Sequence, residues 1–309
     1  MLNPKVVALG GGHGLAATLS ALRQITPNIT AVVTVADNGG SSGRLREEFK
    51  SLPPGDLRMA LAALCADDEW GRSWAEIMQY RFTSSGSMNN HALGNLLLTA
   101  LWDRDGDPVI GVSKVGELLK IVGKVLPMAL EPLDIEGIFE KDGSLTSVKG
   151  QIEVATAKGK VLSLKLIPEN PKSTPEALSA ISEADYLTFG PGSWFSSVMP
   201  HFLALDQLEA IRRSMAKKIV ILNLPEDGSA GEFAGNSATD HLSLILSHAP
   251  DLKIDFAIAD RKVAEQDGNL ENLVAKMGGK VVLGDFTEKN GQNHHDNRKL
   301  ASTFSHIFL

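Results

Sequence analysis

Lys5-Val6-Val7-Ala8-Leu9-Gly10-Gly11-Gly12-His13-Gly14 decides the fold. A short, apolar, partly β-branched run stops at a glycine-rich turn, and Leu15, Leu19 and Leu22 then recur at helical spacing, so the segment reads as strand, turn and helix. Gly12-x-Gly14-x-x-Ala17 fits a relaxed dinucleotide-binding pattern. Without β-carbons the backbone of Gly11, Gly12 and Gly14 can approach a phosphate, and the helix that follows directs free amides toward it. A tight turn packing helix on strand would use the same glycines. His13 reads either as a ligand contact or as a surface imidazole.

The next strand, read over residues 29–35, ends in Ala36-Asp37-Asn38-Gly39-Gly40-Ser41-Ser42-Gly43-Arg44-Leu45-Arg46. Residues 37–44 read as a polar loop, longer than the few residues usual between α/β elements. Its backbone amides, the Ser41 and Ser42 hydroxyls and the guanidiniums of Arg44 and Arg46 suit an anion. The alternative is a solvated surface loop. Asp37 closes the strand at the distance expected of a ribose-binding acid, and it could instead meet a heterocycle or a phosphate-bound Mg²⁺. Arg46→Ala is expected to weaken ligand binding with little effect on stability.

A third glycine turn, Gly190-Pro191-Gly192-Ser193, follows the buried strand 186–189. It could carry a diphosphate, with a Gly-Pro turn and capping serines as the alternative. Asn223 ends another strand and so faces the crevice outside the carboxyl ends of a parallel sheet. His91 and Asn95, four residues apart at the start of an apolar helix, share a face and could point there too, or serve as packing and capping residues. Asp56 and Arg58 are similarly ambiguous, and a helix cap with a surface arginine is the simpler explanation. Asp240-His241 and His294-His295-Asp296 lack zinc-ligand spacing and read as helix starts.

Strands and helices alternate along the chain, except that residues 130–168 take a period of two with turns at 141–144 and 157–160. The fold class is therefore α/β: a doubly wound, mainly parallel Rossmann-like sheet with a small antiparallel β insertion at about 130–168, in a single domain over 1–309. The chain has 309 residues, 43% of them hydrophobic, enough for a sizeable core. With 30 Lys and Arg against 37 Asp and Glu, its net charge of −7 argues against a nucleic-acid surface, so any phosphate site must be local. One cysteine, no membrane span and no signal-peptide pattern in the first residues point to the cytoplasm.

Taken together, the motifs resemble those of the CofD-like family and, within it, the YvcK branch of gluconeogenesis and cell-shape factors, also described as UPF0052-type. The segments carrying the likeness are Gly10 to Leu15, Ala31 to Arg46, Pro53-Pro54-Gly55-Asp56-Leu57-Arg58, Tyr80-Arg81-Phe82, His91 to Leu96, Gly123 to Pro127, Gly190 to Ser193 and Asp240-His241. The resemblance implies a crevice for a nucleotide-diphosphate small molecule. One branch transfers a phospholactyl group from a guanosine diphosphate donor to a deazaflavin alcohol with Mg²⁺. The other is associated with binding UDP-sugars such as UDP-N-acetylglucosamine and with envelope growth. The opening glycines and the Ser-Ser-Gly-Arg-Leu-Arg run look like the second.

Where the family has Asp-Asp, this chain has Asp37-Asn38, which removes one carboxylate from any Mg²⁺ or general-base role. Ala92 replaces a family serine, Trp194-Phe195-Ser196-Ser197 stands for Leu-Tyr-Thr-Ser, and Leu224-Pro225-Glu226-Asp227-Gly228 differs from the Val-Met-Thr-Gln of many relatives. The expected site is thus Gly11, Gly12, His13, Gly14, Asp37, Asn38, Ser41, Ser42, Arg46, His91, Asn95, Gly190, Pro191, Gly192, Ser193 and Asn223. Asp37 is the catalytic candidate, and no cofactor is expected unless Mg²⁺ serves a transferase. An NAD-dependent oxidoreductase ranks last, because no acid–base pair accompanies the glycine pattern. A homo-oligomer is compatible with the sequence.

Overall fold

The computed structural model of the protein describes residues 3–225, 236–288 and 294–309. In chain order its strands are β1 (Val6–Gly10), β2 (Ile29–Val33), β3 (Lys124–Pro127), β4 (Asp134–Lys141), β5 (Ser144–Lys149), β6 (Lys160–Ile167), β7 (Tyr186–Phe189), β8 (Lys217–Ile221), β9 (Phe256–Asp260) and β10 (Lys280–Gly284). Seven of them form one parallel sheet in the order β10-β9-β8-β7-β1-β2-β3. The central strands β1 and β7 are buried at every position, which is why they read as near-continuous apolar runs, broken only by Thr188, rather than alternating ones. The chain moves outward from β1 through β2 and β3, then returns to the other side of β1 with β7, so the strand order reverses between β1 and β7. In open α/β sheets, ligands bind at this reversal.

Strand β3 leaves little trace in the sequence. It has four residues and ends in Pro127 on the sheet's outer edge, where a missing amide N–H breaks no interior ladder. The helices that frame the site are α1 (Gly12–Leu22), α2 (Gly40–Phe49), α3 (Gly55–Ala63), α4 (Glu69–Gln79), α5 (Leu93–Asp105) and α6 (Pro108–Leu119). Helix α1 packs between α3 and the C-terminal helix Asn297–Ile307.

The insertion is a three-stranded antiparallel sheet with β4 between β5 and β6. Asp142 and Gly143 join β4 to β5 with positive φ angles of 52° and 76°, the pattern of a type I′ turn that matches strand twist. A short helix, α7 (Gln151–Ala155), interrupts the expected run of strands before β6. Ile135, Phe139, Val161, Leu164 and Leu166 join the same buried apolar cluster as the main sheet, so the insertion is packed onto the core. Phe139 meets Phe195 edge-to-face just beyond the third glycine turn.

Two expected elements differ. The stretch 37–44 is not one long loop: α2 already begins at Gly40, so Ser41 and Ser42 lie in its first turn. Asp56 is not a cap: Pro54 holds that position in α3, with no side-chain capping bond. Asp240 and Asp296 do start helices, the first in a capping box with Ser237 and the second as N-cap of the C-terminal helix. No described helix is long and apolar enough to cross a membrane.

Burial pushes the imidazoles of His201 and His295 down to about 4. Between pH 6.5 and 4 the unfolded chain therefore takes up protons that the fold refuses. Their contribution to stability is present above pH 6.5 and is lost as the pH falls toward 4. Denaturant unfolding at pH 7 and pH 5 should show a loss of about 2 kcal/mol per histidine, on the basis of 1.36 kcal/mol per pKa unit. His201→Gln should shrink the drop, and an equal drop in the variant would refute this assignment.

Candidate functional site

The loops after β1 and β7 touch at the strand-order reversal. A β-carbon built on Gly14 would lie 2.1 Å from the Pro191 carbonyl oxygen, so only glycine permits this contact. Thr18, one turn farther along α1, donates its hydroxyl to the Gly190 carbonyl at 2.8 Å. The loop after β8 joins them through Asn223, whose side-chain amide accepts from the Gly192 N–H and donates to the Gly192 carbonyl, both at 2.9 Å. Ser193 caps the short π-helix Trp194–Val198 by accepting from the Ser196 N–H at 3.1 Å. Gly11, Gly12, His13, Gly14, Gly190, Pro191, Gly192, Ser193 and Asn223 thus form one neighbourhood.

The neighbourhood borders a cleft of about 550 Å³, within the size range of ligand sites, whose walls include His13, Gly192, Asn223, Ala155, His294 and Asn297. His13 and His294 stack face to face with centroids 6.4 Å apart. Burial, then the charges of His294, Arg58 and Arg81, lower the His13 pKa, so its ring is held toward the neutral form. A larger groove of about 970 Å³ lies at the opposite, amino ends of β1, β2 and β3. It has none of the three glycine turns, and the strand topology favours the smaller cleft. Glu226, Asp227 and Gly228 lie outside the described residues.

The second motif behaves differently. Its two serines are tied into the protein: Ser42 accepts from the Gly55 N–H at 3.0 Å, and Ser41 bonds His91 Nδ1 at 3.0 Å and accepts from Asn95 Nδ2 at 3.0 Å. They join α2 to α3 and α5. Both terminal guanidinium nitrogens of Arg46 are also engaged, Nη1 by the Leu133 carbonyl at 2.9 Å and Nη2 by Asp134 at 2.8 Å. Arg46 therefore fastens α2 to the insertion. Arg44 donates to the carbonyls of Ser87 and Asn89 at 2.8 Å each and holds the 84–90 loop.

Asn38 faces the insertion as well. Its amide donates to Glu153 of α7 at 3.4 Å, where an aspartate would set two carboxylates against each other. Helix α7 reaches the third turn too, through Gln151 Nε2 and Ser196 Oγ at 3.2 Å. Helix α7 thus links the second and third motifs, and its C-terminal residue Ala155 lines the cleft. Its five residues, inside a stretch of strand periodicity, gave the sequence reading no signal.

The residues that sequence reasoning placed elsewhere are Asp56 and Arg58. Both are buried, at 6% and 3% exposed. A β-carbon on Gly11 would sit 2.4 Å from Asp56 Oδ2 and 2.6 Å from Thr34 Oγ1, so the first glycine turn rests directly on this carboxyl group. Thr34 donates to Asp56 at 3.4 Å. Asp37, which accepts from the Gly39 N–H at 2.9 Å, lies against Gly55, where a β-carbon would sit 2.9 Å from its Oδ2. Burial, reinforced by the charge of Asp37, raises the Asp56 pKa to about 7, against the opposing pull of Thr34, Arg58 and the Gly12 N–H. The available signal was the Pro-Pro-Gly-Asp-Leu-Arg segment itself, since helix-start chemistry alone needs no arginine two residues after the acid.

Asp37 and Asp56 are thus two carboxylates beside a phosphate-suited turn. They fit a Mg²⁺ ion only if ligand oxygens and water complete its shell, because no group of three or more His, Cys, Asp or Glu is arranged for a metal among the described residues.

A raised carboxyl pKa favours the fold at low pH, and this contribution is lost as the pH rises from about 4 to 7. Asp56→Asn should therefore gain stability relative to the parent by about 3 kcal/mol between pH 5 and pH 8, by the same 1.36 kcal/mol per unit. An unchanged difference between the two proteins would contradict it. Arg46→Ala should lower stability by about 1–2 kcal/mol, as for a charge-assisted hydrogen-bonded pair, and leave ligand affinity unaltered. Thermal unfolding and calorimetric titration of the same sample distinguish this from a binding role.

Residues 6–298 match the family model described as 2-phospho-L-lactate transferase CofD. A relative in Mycobacterium tuberculosis is 43% identical over 309 residues, covering 98% of this chain and 90% of its own. A protein of Halalkalibacterium halodurans named "Gluconeogenesis factor" is 40% identical over 248 residues, covering 80% of this chain and 74% of its own. The crystal structure of a UPF0052 family member from Bacillus halodurans superimposes with a TM-score of 0.85 at 32% identity, over 98% of this chain and 99% of that one. The chain belongs to the CofD family, in the group that contains the gluconeogenesis factors.

Proposed function

We propose that the protein is a cytoplasmic regulator of carbon metabolism and cell morphogenesis that binds a nucleotide sugar, such as UDP-N-acetylglucosamine, in the cleft at the carboxyl ends of β1, β7 and β8. The observation that carries this reading is the convergence of Gly14, Gly192 and Asn223 at the strand-order reversal. The first turn of α1 offers amide N–H groups and a favourable dipole to a diphosphate, and the adjoining cleft has room for the rest of the ligand. The neutral tendency of His13 suits hydrogen bonding to a sugar or phosphate oxygen. Relatives named gluconeogenesis factor support the regulatory part.

A second reading, a phospholactate-type transferase, draws on the Asp37 and Asp56 pair. Asn38 removes one family carboxylate, but Asp56 stands beside Asp37 from α3. Asp37 and Asp56 would hold Mg²⁺, which supplies charge neutralisation to a diphosphate. In that setting Asp56 would have to give up its proton when the cation binds.

Calorimetric titration with UDP-N-acetylglucosamine is expected to give saturable binding below millimolar ligand. No heat with this ligand, and none with other nucleotides, would reject the regulatory reading. Product formation from a guanosine diphosphate donor and a deazaflavin acceptor with Mg²⁺ would establish the transferase in its place.

A further inference from the structure

Arg58 carries five N–H donors, and its side chain makes one hydrogen bond, from Nε to Asn95 Oδ1 at 2.8 Å. Nη1 is buried with no acceptor, and no ion pair within 4.0 Å involves Arg58 among the described residues. A guanidinium at 3% exposure without a direct counter-ion is costly for the fold. The surrounding structure nevertheless holds it in place. Asn95 is fixed by donating to Ser41, which bonds His91 and lies 3.4 Å from the Ala92 N–H as its acceptor. A β-carbon on Gly94 would lie 2.9 Å from Arg58 Cδ, so glycine at 94 leaves the room for this stem.

The electrostatic field of Arg58 reaches His13 on the glycine turn and Asp56 beneath it. Arg58 on α3, Asn95 on α5 and Ser41 on α2, with His91 just ahead of α5, therefore hold a donor-rich guanidinium without a direct counter-ion two residues along α3 from Asp56, the carboxyl group on which the first glycine turn rests. Diphosphate oxygens have the complementary chemistry, as planar guanidinium forks bind phosphate in a bidentate manner.

We propose that Arg58 receives an anionic oxygen of the ligand's diphosphate and that Asn95, backed by Ser41 and His91, is its positioning residue. This assignment rests on the nucleotide-sugar reading for the identity of the ligand, but not for the chemistry at Arg58. Arg44 and Arg46 are committed to backbone and carboxylate partners, which leaves Arg58 as the buried guanidinium with free donors near the turn.

The test titrates the parent, Arg58→Met, Arg58→Lys and Asn95→Ala with inorganic pyrophosphate and with UDP-N-acetylglucosamine, and records thermal unfolding of each without ligand. Arg58→Met should weaken both ligands at least tenfold while melting no lower than the parent, because it removes an unpaired buried charge. Arg58→Lys keeps the charge and loses the fork, so its affinity should fall between the two. Asn95→Ala should weaken both ligands less than Arg58→Met. Parent-like affinity in Arg58→Lys and in whichever other variants fold, or no binding of either ligand by the parent, would overturn the assignment. If pyrophosphate binding depends on Arg58 while the nucleotide sugar binds no better than pyrophosphate, the Arg58 assignment stands and the nucleotide-sugar reading fails.

Discussion

Gly14 and Pro191 approach so closely that any side chain at position 14 would have to displace the turn after β7. That contact couples the two halves of the sheet at the point where the strand order reverses, and the remainder of the site is arranged around it. Thr18 secures the same turn from one side and Asn223 from the other. The amino end of α1 is therefore held in position over the carboxyl ends of three neighbouring strands. A dipole that falls off within one turn is useful to a ligand only with such fixed placement.

The protein is acidic overall, so it attracts anions through local geometry rather than through its net field. Two arginines of the most polar motif serve structure: Arg46 ties α2 to the insertion and Arg44 ties it to the 84–90 loop. The carboxyl group against the first turn is the buried one of Asp56, and buried Arg58 follows it two residues along α3, each influencing the other's protonation in opposite directions. Burial of such groups costs stability, and that cost is a usual mark of a functional position. Asn38 shows the same economy of charge. Its amide meets Glu153, where a second carboxylate would be repelled.

Much of the architecture was legible because buried parallel strands and helical leucine spacing leave strong periodic signals. β1, β7 and the helix after the first turn fall where Val6 to Leu9, Tyr186 to Phe189 and Leu15, Leu19 and Leu22 place them. Two elements were not legible: β3 is an edge strand that ends in Pro127, and α7 is a single helical turn set inside a stretch of strand periodicity. At the site, the glycine turns were readable as turns, since a missing β-carbon has few other uses. The direction of polar side chains was not, because Ser41, Ser42 and Arg46 suit an anion and suit helix packing equally well. Asp56 was misread for a similar reason: an acid at a helix start usually caps it, whereas here the first glycine turn lies over it.

If the turns at β1, β7 and β8 act as one ligand site, a ligand bound there must protect all three together. Amide hydrogen exchange with and without UDP-N-acetylglucosamine reads each turn separately within the intact protein. Concerted slowing over 10–15, 190–198 and 222–225, with residues 124–127 and 175–183 at the opposite groove unchanged, is the expected result. Slowing confined to the opposite groove, or no change at any of the three turns under saturating ligand, would contradict the account.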